Sequence, residues 1–533
     1  MKYKNLLLAL FSGFLLWLGW PTKPLGFLLH VAFVPLLILE NNLRDSTTKK
    51  KALKYFGLVY LALLIWNVGT TWWVYNATAG GSIFAMTCNA FFMCAPWMCF
   101  WWTKKKCGSL AGYFSLPVYW IAFEVIHLNW SLTWPWLTLG NGFASLHQIV
   151  QWYEFTGHLG GTLWILVGNL LVFAVIREGS LNRAALAVFA FWFGIPVLLS
   201  LGMYYGYKDK GKDVEVVVVQ PNIDPYEQKF EGGTSFIPYE EQVERMMRLS
   251  EKMITPATKF VAWPETALPS GYFEHELKEY DLIKHLLAFT KKHPQITLIT
   301  GLDTYKIYDK DPSPTARFRE DIGNFDVFNA AVKIDCTGNY QLYHKAKLVP
   351  GVEYIPPVIK SLAIDLGGTV GGLGLSEERE VFYNKDSVGA APVICYESVY
   401  GEFVTGYVRK GADFIAIITN DGWWGNTPGH RQHLQYAKLR CIETRRSLAR
   451  SANTGISGFI NQRGDILETS SYWEENALRG NVKANDKLTF YAKYGDYIGF
   501  AACFFAVICL LMLLSNIFFK LKIGKAEYAE LKS

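Results

Sequence analysis

Acidic residues are scarce in the first 207 positions of this 533-residue chain, which hold only Glu40, Asp45, Glu124, Glu154 and Glu178 of forty-six. The same stretch carries fifteen of the nineteen tryptophans, so two physically different halves share one chain. Charged residues are only 18% of the chain against 51% hydrophobic, with a mean hydropathy of +0.13, which excludes disorder, a coiled coil and an ordinary soluble protein. The composition is that of neither a collagen nor a disulfide-rich scaffold, and no Gly, Pro or Ser tract divides residues 213–487. A net charge of +6, placed beside apolar runs, argues against nucleic acid as a partner.

What is present is a series of apolar stretches long enough to cross ~30 Å of hydrocarbon. They fall at about 5–20, 24–40, 54–75, 83–102, 109–127, 149–176, 184–205 and 494–519, an expectation of eight spans. The first two are separated only by Pro21, Thr22, Lys23 and Pro24, a tight turn between antiparallel helices. Basic residues gather in alternate connections: Lys2 and Lys4; Arg44, Lys49, Lys50, Lys51 and Lys54; Lys104, Lys105 and Lys106; Arg177 and Arg183. The other connections carry Lys23 alone, or no charge at all in 76–82 and 128–148. The positive-inside bias puts the basic set in the cytoplasm. Residues 1–207 then form a membrane domain of seven helices, 213–487 an extracytoplasmic domain, 494–519 the eighth helix and 520–533 a cytoplasmic tail with Lys520, Lys522 and Lys525. Both termini are expected in the cytoplasm. A cleaved signal peptide is the alternative for the first run, but it ends in Trp17, Gly19, Trp20 and Pro21 without a small-x-small site, and another span follows at once.

The connection from Asn129 to Gln148 holds Trp130, Trp134, Pro135, Trp136 and Phe143 and no Lys, Arg, Asp or Glu. Such rings favour the headgroup layer, so the segment reads as an aromatic belt that also shapes a lipid-access surface.

From about Asp213 the pattern becomes α/β. β-rich runs occur at Val214–Gln220, Phe260–Trp263, Ile296–Gly301, Val327–Ile334, Ala391–Cys395, Phe414–Thr419 and Gly455–Asn461. Helical spacing occupies Tyr239–Met253, Tyr280–Lys292 and Gly429–Arg450. The run Gly367–Gly374 (GGTVGGLG) reads as a flexible surface loop, with gating of a site as its sharper reading.

Three residues at strand ends lack an obvious structural purpose: Glu265 after Trp263-Pro264, Lys345 in His344-Lys-Ala-Lys-Leu-Val-Pro350, and Cys395 in Val393-Ile-Cys-Tyr-Glu397. Each alone has an ordinary role, as a capping carboxylate, a surface charge or a small buried hydrophobe. Together they make a chemical set. A thiol of ordinary pKa near 8.5 needs a base or a positive neighbour to act as a nucleophile. Glu265 supplies the first and Lys345 the second. After attack on an acyl carbon, the ammonium and the Tyr396 N–H would stabilise the oxyanion. Cys336, Cys395 and Cys441 are the only cysteines of this half, an odd number, so at least one thiol there is sheltered or reactive.

The order Glu, Lys, Cys on separate strand ends resembles the nitrilase, or carbon–nitrogen hydrolase, superfamily. Its attachment after seven spans and before an eighth is similar to the apolipoprotein N-acyltransferases. The resemblance runs through Gly19-Trp20-Pro21, Pro135-Trp136-Leu137, Val219-Gln-Pro-Asn-Ile223, Trp263-Pro-Glu-Thr266, Leu348-Val-Pro350 to Glu353-Tyr-Ile-Pro356, Ile394-Cys-Tyr-Glu397 and Asn420-Asp-Gly-Trp-Trp-Gly425. It continues in Gln432-His433, Arg440-Cys-Ile-Glu443 and Ser451-Ala-Asn-Thr-Gly455. It implies a nitrilase-like αββα sandwich, with Cys395 as nucleophile, Glu265 as general base, Lys345 rather than Lys347 as stabiliser of the tetrahedral intermediate, and Glu353 as a second carboxylate. It also implies that Tyr396, Glu397, Phe230 and Trp423 line the site. Two departures stand out: Lys229 is followed by Phe230 where the family often has Trp, and Gly351-Val352 reverses the common order ahead of Glu353.

The function so implied is acyl transfer in a bacterial inner membrane, from a phospholipid, with phosphatidylethanolamine the expected donor. The acceptor is the α-amine of an S-diacylglyceryl cysteine on an apolipoprotein, reached through a Cys395 thioester. No metal and no organic cofactor is implied. A membrane-anchored amidase using the same three residues would instead expect a small polar pocket, and a transporter would expect ionisable residues within spans or an internal repeat.

Overall fold

In the computed structural model, residues 2–47, 49–178, 183–356 and 372–530 are described. Residues 367–371 of the Gly367–Gly374 run therefore lie outside the described residues. Seven helical stretches are long and apolar enough to cross a bilayer: Gly26–Asp45, Lys51–Asn76, Ala79–Cys107, Ser109–Asn129, Tyr153–Arg177, Leu186–Gly206 and Tyr497–Phe518. The first expected span is a shorter apolar helix, Tyr3–Leu18, so among the described residues length by itself marks seven of the eight expected spans. The helix Lys2–Leu18 is 17 residues, the short end of the range of about 17–25 that crosses a bilayer. Trp20, Trp66, Trp97 and Trp120 pack inside the bundle while Phe191, Leu198, Phe500 and Leu511 stay exposed, the pattern of helices that meet lipid on one side.

The segment expected as an interfacial belt is largely internal. Short 3₁₀ turns run over Pro135–Leu137 and Leu139–Val150, and Trp136 and Phe143 are buried, whereas Trp130 is exposed. The Trp136 ring is held by Trp73, Trp424 and Tyr436 at 5.0, 5.6 and 5.8 Å between centroids, which takes it away from any headgroup layer.

The C-terminal half is two sheets face to face. The strands are β1 Lys212–Gln220, β2 Thr258–Ala262, β3 Leu268–Phe273, β4 Thr297–Tyr308, β5 Arg317–Arg319, β6 Gly323–Asp335 and β7 Tyr340–His344. Then follow β8 Phe382–Tyr383, β9 Gly389–Ile394, β10 Phe414–Thr419, β11 Leu448–Ala452, β12 Gly458–Ile460, β13 Ile466–Thr469 and β14 Asn476–Ala484. One sheet has the order β14-β1-β2-β4-β6-β5, with β3 on β4 and β7 on β6; the other is β13-β12-β11-β10-β9-β8. The period-2 alternation of β1 and β2 decides the layers. Val216, Val218, Phe260 and Ala262 face the second sheet, where Phe260 meets Phe414 at 5.1 Å. Val217, Val219 and Val261 face the helices Tyr239–Met253 and Asp281–Lys292. Helices Gly401–Arg409 and Pro428–Thr444 connect the parallel strands β9, β10 and β11. The result is the expected αββα sandwich.

The helix expected to reach Arg450 stops at Thr444, because Arg445 turns left-handed at φ 49°, and Leu448, Ala449 and Arg450 belong to β11. β4 runs to Tyr308, seven residues past the expected end. The two halves are bonded together: Trp20 donates to the Tyr436 hydroxyl at 2.9 Å, Asn76 donates to the Trp424 carbonyl at 2.8 Å, and the His158 N–H reaches Glu443 at 3.1 Å.

Candidate active site

β1, β2 and β4 are mutually parallel, as are β9, β10 and β11, and Glu265 and Cys395 lie just beyond the carboxyl ends of β2 and β9, whereas Lys345 follows β7, which pairs antiparallel with β6. Cys395 directly follows β9 and opens a 3₁₀ turn, Cys395–Val399, with its own φ at 47°. A non-glycine residue in that region is held there by its surroundings. Here its carbonyl accepts hydrogen bonds from the Ser398 hydroxyl at 2.7 Å and from His433 Nε2 at 3.1 Å. His433 is backed in turn by Asp421 at 3.0 Å, and Asp421 by Arg450.

Glu265 follows β2 across Trp263 and Pro264. Its Oε1 accepts from Lys345 Nζ at 2.9 Å and Asn329 Nδ2 at 2.8 Å, and its Oε2 accepts from the Asn420 N–H at 3.1 Å. Lys345 follows β7, is 1% exposed, and also donates to Glu353 Oε1 at 2.7 Å. Glu353 is fixed by its own turn: Oε2 accepts the Val349 N–H at 2.8 Å, and its carbonyl accepts from Gly372 and Leu373 at 3.1 and 2.9 Å. The reversed Gly351-Val352 order therefore does not displace Glu353 from Lys345. Lys347 lies elsewhere, its Nζ 5.2 Å from the Tyr400 ring centroid and outside the cavity lining.

Burial works against the Glu265 carboxylate, but the Lys345 charge and hydrogen bond, with Asn329 adding, outweigh it and hold the carboxyl below the usual range. Burial likewise disfavours the Lys345 ammonium, and Glu265 and Glu353 overcome it, raising the group well above an ordinary lysine. At Cys395, burial and then the Glu265 charge push the thiol well above its ordinary value, with Lys345 opposing. These directions favour a neutral thiol beside an ionised Glu265–Lys345 pair.

These groups line one cavity of about 170 Å³. Glu265, Lys345, Glu353, Cys395 and Tyr396 are on its walls; Phe230 and Trp423 also line it, their rings stacked at 6.2 Å and 19°. The opposite wall belongs to the membrane half: Trp73, Val74, Ala77, Thr78, Trp134 and Trp136. Glu397, expected beside substrate, does not line the cavity. Its fully buried carboxylate accepts from the Tyr343 hydroxyl at 2.5 Å, the Ala346 N–H at 2.7 Å, the Ile394 N–H at 2.8 Å and the Tyr407 hydroxyl at 3.2 Å. It therefore ties the strand end before Cys395 to the loop after Lys345.

Three cavity-side groups escaped the sequence reading. Asn329 and Asp303 sit mid-strand in β6 and β4, where an isolated polar residue carries no motif. Lys229 is buried and donates to the Glu265 carbonyl at 3.1 Å; burial lowers its ammonium to about 8, with Glu265 and Asp303 opposing. The Lys-then-aromatic pattern was the one signal for it.

The comparisons with known proteins agree with this architecture. The sequence model described as apolipoprotein N-acyltransferase N-terminal domain matches residues 12–171, and that described as carbon–nitrogen hydrolase matches 218–486. The chain is 29% identical to the apolipoprotein N-acyltransferase of Chlorobaculum tepidum over 93% of this chain and 94% of that one. It is 26% identical to that of Geobacter metallireducens, with 93% of each covered. Among solved structures, Saccharomyces cerevisiae Nit3 of the nitrilase superfamily aligns with 54% of this chain and 97% of its own at 15% identity and a TM-score of 0.37. With one family model spanning half its length and the second covering most of the helical half, the chain belongs to the carbon–nitrogen hydrolase family, in the form that carries an apolipoprotein N-acyltransferase N-terminal domain.

Proposed function

We propose that the chain transfers an acyl chain from a membrane phospholipid, through a thioester on Cys395, to the α-amine of an S-diacylglyceryl cysteine on an apolipoprotein. The observation that carries this reading is the cavity itself, with Cys395, Glu265 and Lys345 on one wall and Trp73, Val74, Trp134 and Trp136 of the membrane half on the other. A second, mostly apolar cavity shares Val74, Thr78, Trp134, Val349 and Val352 with it, a surface suited to a lipid chain. A small water-soluble amide would need neither.

Glu265 takes the Cys395 proton and the thiolate attacks an ester carbonyl of the phospholipid. The S–C bond forms, the ester C–O bond breaks, and the lysophospholipid oxygen leaves with the proton from Glu265. Lys345 and the Tyr396 N–H meet the oxyanion, and Glu353 holds Lys345 in place. Phe230, Trp423 and Tyr396 line the path of the substrate. The thioester keeps the acyl group activated for the amine, so the chemistry needs no further cofactor. Phosphatidylethanolamine is the proposed donor. In this proposal the short Tyr3–Leu18 helix also crosses, so that both termini and the basic connections lie inside and the α/β domain faces the extracytoplasmic side of a bacterial inner membrane, where lipid donor and lipid-anchored acceptor share one surface.

The test is mass spectrometry of the purified protein after incubation with phosphatidylethanolamine vesicles and no acceptor. An acyl mass on the Cys395 peptide, removed by hydroxylamine and absent in Cys395→Ala, is expected. A folded protein that acquires no acyl mass from any phospholipid overturns the lipid-donor reading and favours an amidase.

A further inference from the structure

Asp303 and Asn329 face each other across β4 and β6 in antiparallel register, so their side chains share one face of the sheet, and both line the cavity that contains Cys395. Gly301 lies two residues before Asp303 on that face. There the strand presses against Glu265: a Cβ on Gly301 would lie 2.4 Å from the Thr266 nitrogen and 2.7 Å from Glu265 Cα. Asp303 is therefore the next cavity-facing position along the strand from the reacting groups.

Two acceptors meet there without donors. Among the described residues no hydrogen bond reaches the Asp303 carboxylate, and Lys229, the nearest unassigned cation, spends its contact on the Glu265 carbonyl at 3.1 Å. Asn329 is 6% exposed; its Nδ2 serves Glu265 and Glu353, but its buried Oδ1 has no partner. Asp303 is half-buried, and the Asn329 oxygen is a buried acceptor left unpaired, which is costly and is satisfied by a ligand that brings donors. A primary ammonium brings three and a positive charge, and it suits a wall that also carries Glu265 and Glu353.

We propose that Asp303 and the Asn329 amide oxygen form the recognition site for the primary ammonium of the acyl acceptor, and that Asp303 takes its proton. This rests on the acyl-transfer reading of the same cavity. The ammonium gives one proton to the Asp303 carboxylate. The neutral nitrogen attacks the thioester carbonyl, the N–C bond forms and the C–S bond breaks. The sulfur leaves as thiolate and receives the second nitrogen proton through Glu265, leaving an amide, a free thiol and a protonated Asp303 that returns its proton to water. Burial raises the Asp303 carboxyl to about 7, with Lys229 opposing and Glu265 and Glu353 adding, which suits an exchangeable proton.

The experiment pre-loads wild type and Asp303→Asn with an acyl group and compares two nucleophiles: a synthetic lipopeptide with an N-terminal S-diacylglyceryl cysteine, and hydroxylamine, which is uncharged at neutral pH and needs no ammonium site. Asp303→Asn is expected to slow discharge to the lipopeptide about 10- to 100-fold more than discharge to hydroxylamine, the scale of one charge-assisted hydrogen bond. Asp303→Glu is expected to recover part of that difference. Equal slowing of both nucleophiles, or of neither, overturns the site. Should Asp303→Asn fail to fold, binding to Cys395→Ala decides: the lipopeptide with a free α-amine is expected to bind at least about ten-fold tighter than the same peptide acetylated there, and equal affinity overturns the site. If wild type never acquires the acyl group, the acyl-transfer reading itself fails, before Asp303 is tested at all.

Discussion

Lys345 lies 2.9 Å from Glu265, eighty positions earlier in the chain, and with Glu353 at 2.7 Å on the same ammonium it is the single positive charge between two buried carboxylates. That arrangement fixes the resting charge state of the site and has consequences for stability as well as chemistry.

Removing the lysine takes the direct ammonium partner from both carboxylates and leaves Glu265 with Asn329, the Asn420 N–H and the Lys229 charge. Lys345→Met is expected to cost about 3–5 kcal/mol, and adding Glu265→Gln and Glu353→Gln to recover much of it. Thermal unfolding in detergent measures both, and a Lys345→Met protein as stable as wild type contradicts the buried array.

The Glu265 carboxyl is held below its unfolded value, so its contribution to stability is complete above about pH 4.3 and is lost as pH falls through the lower folded value. The stability gap between wild type and Glu265→Gln is therefore expected to be constant at higher pH and to close in acid. Acid titrations of unfolding for the two proteins give that gap directly; a gap that widens as pH falls has the wrong sign.

Burial and the Glu265 charge raise the Cys395 thiol, so without substrate its alkylation by iodoacetamide is expected to be slow at neutral pH and to rise only at pH well above the ordinary thiol value of about 8.5. Glu265→Gln removes one raising charge and should speed labelling at a given pH while abolishing acylation by phospholipid. Peptide mass spectrometry of the Cys395 peptide follows both reactions. Labelling that is fast and flat from neutral pH upward means a resting thiolate instead.

Glu397 touches no cavity yet holds the approaches to Cys395 and Lys345 together. Glu397→Gln turns an amide NH₂ toward groups that already donate, an expected loss of about 1–3 kcal/mol. The expected kinetic signature is a lower kcat with KM for phospholipid little changed, because binding surfaces stay in place while the reacting groups shift. A rise in KM alone would return Glu397 to the substrate-lining role expected from sequence.

Much of this was legible in one dimension. The apolar runs mark the bilayer-length helices to within a few residues, because a span must satisfy its own backbone and stay apolar throughout. An α/β domain follows from β-rich runs such as Val214–Gln220 alternating with helical segments, and the αββα sandwich was implied by the family resemblance. Glu265, Lys345 and Cys395 stand out because each sits where a strand ends and a reactive group has no packing role, whereas Glu353 was implied only by the family resemblance. Illegible were Trp136, whose ring turns inward rather than toward a headgroup layer, and Glu397, adjacent to the nucleophile in sequence but aimed away from it. Asp303 and Asn329 were equally silent, being polar residues in strand interiors whose partners depend on cross-strand register.

Local chemistry, written as hydrophobic period, strand-ending charge and a thiol in an apolar run, was determined by the sequence alone, since each acts over a few residues of the chain itself. The tertiary structure alone decided which groups share a cavity: the docking of Trp73 and Trp134 against the α/β domain, the meeting of Asp303 with Asn329, and the use of Glu397 as a tie. Those relations depend on the register of strands and on the packing of one half of the chain against the other, and neither is encoded in any local stretch of residues.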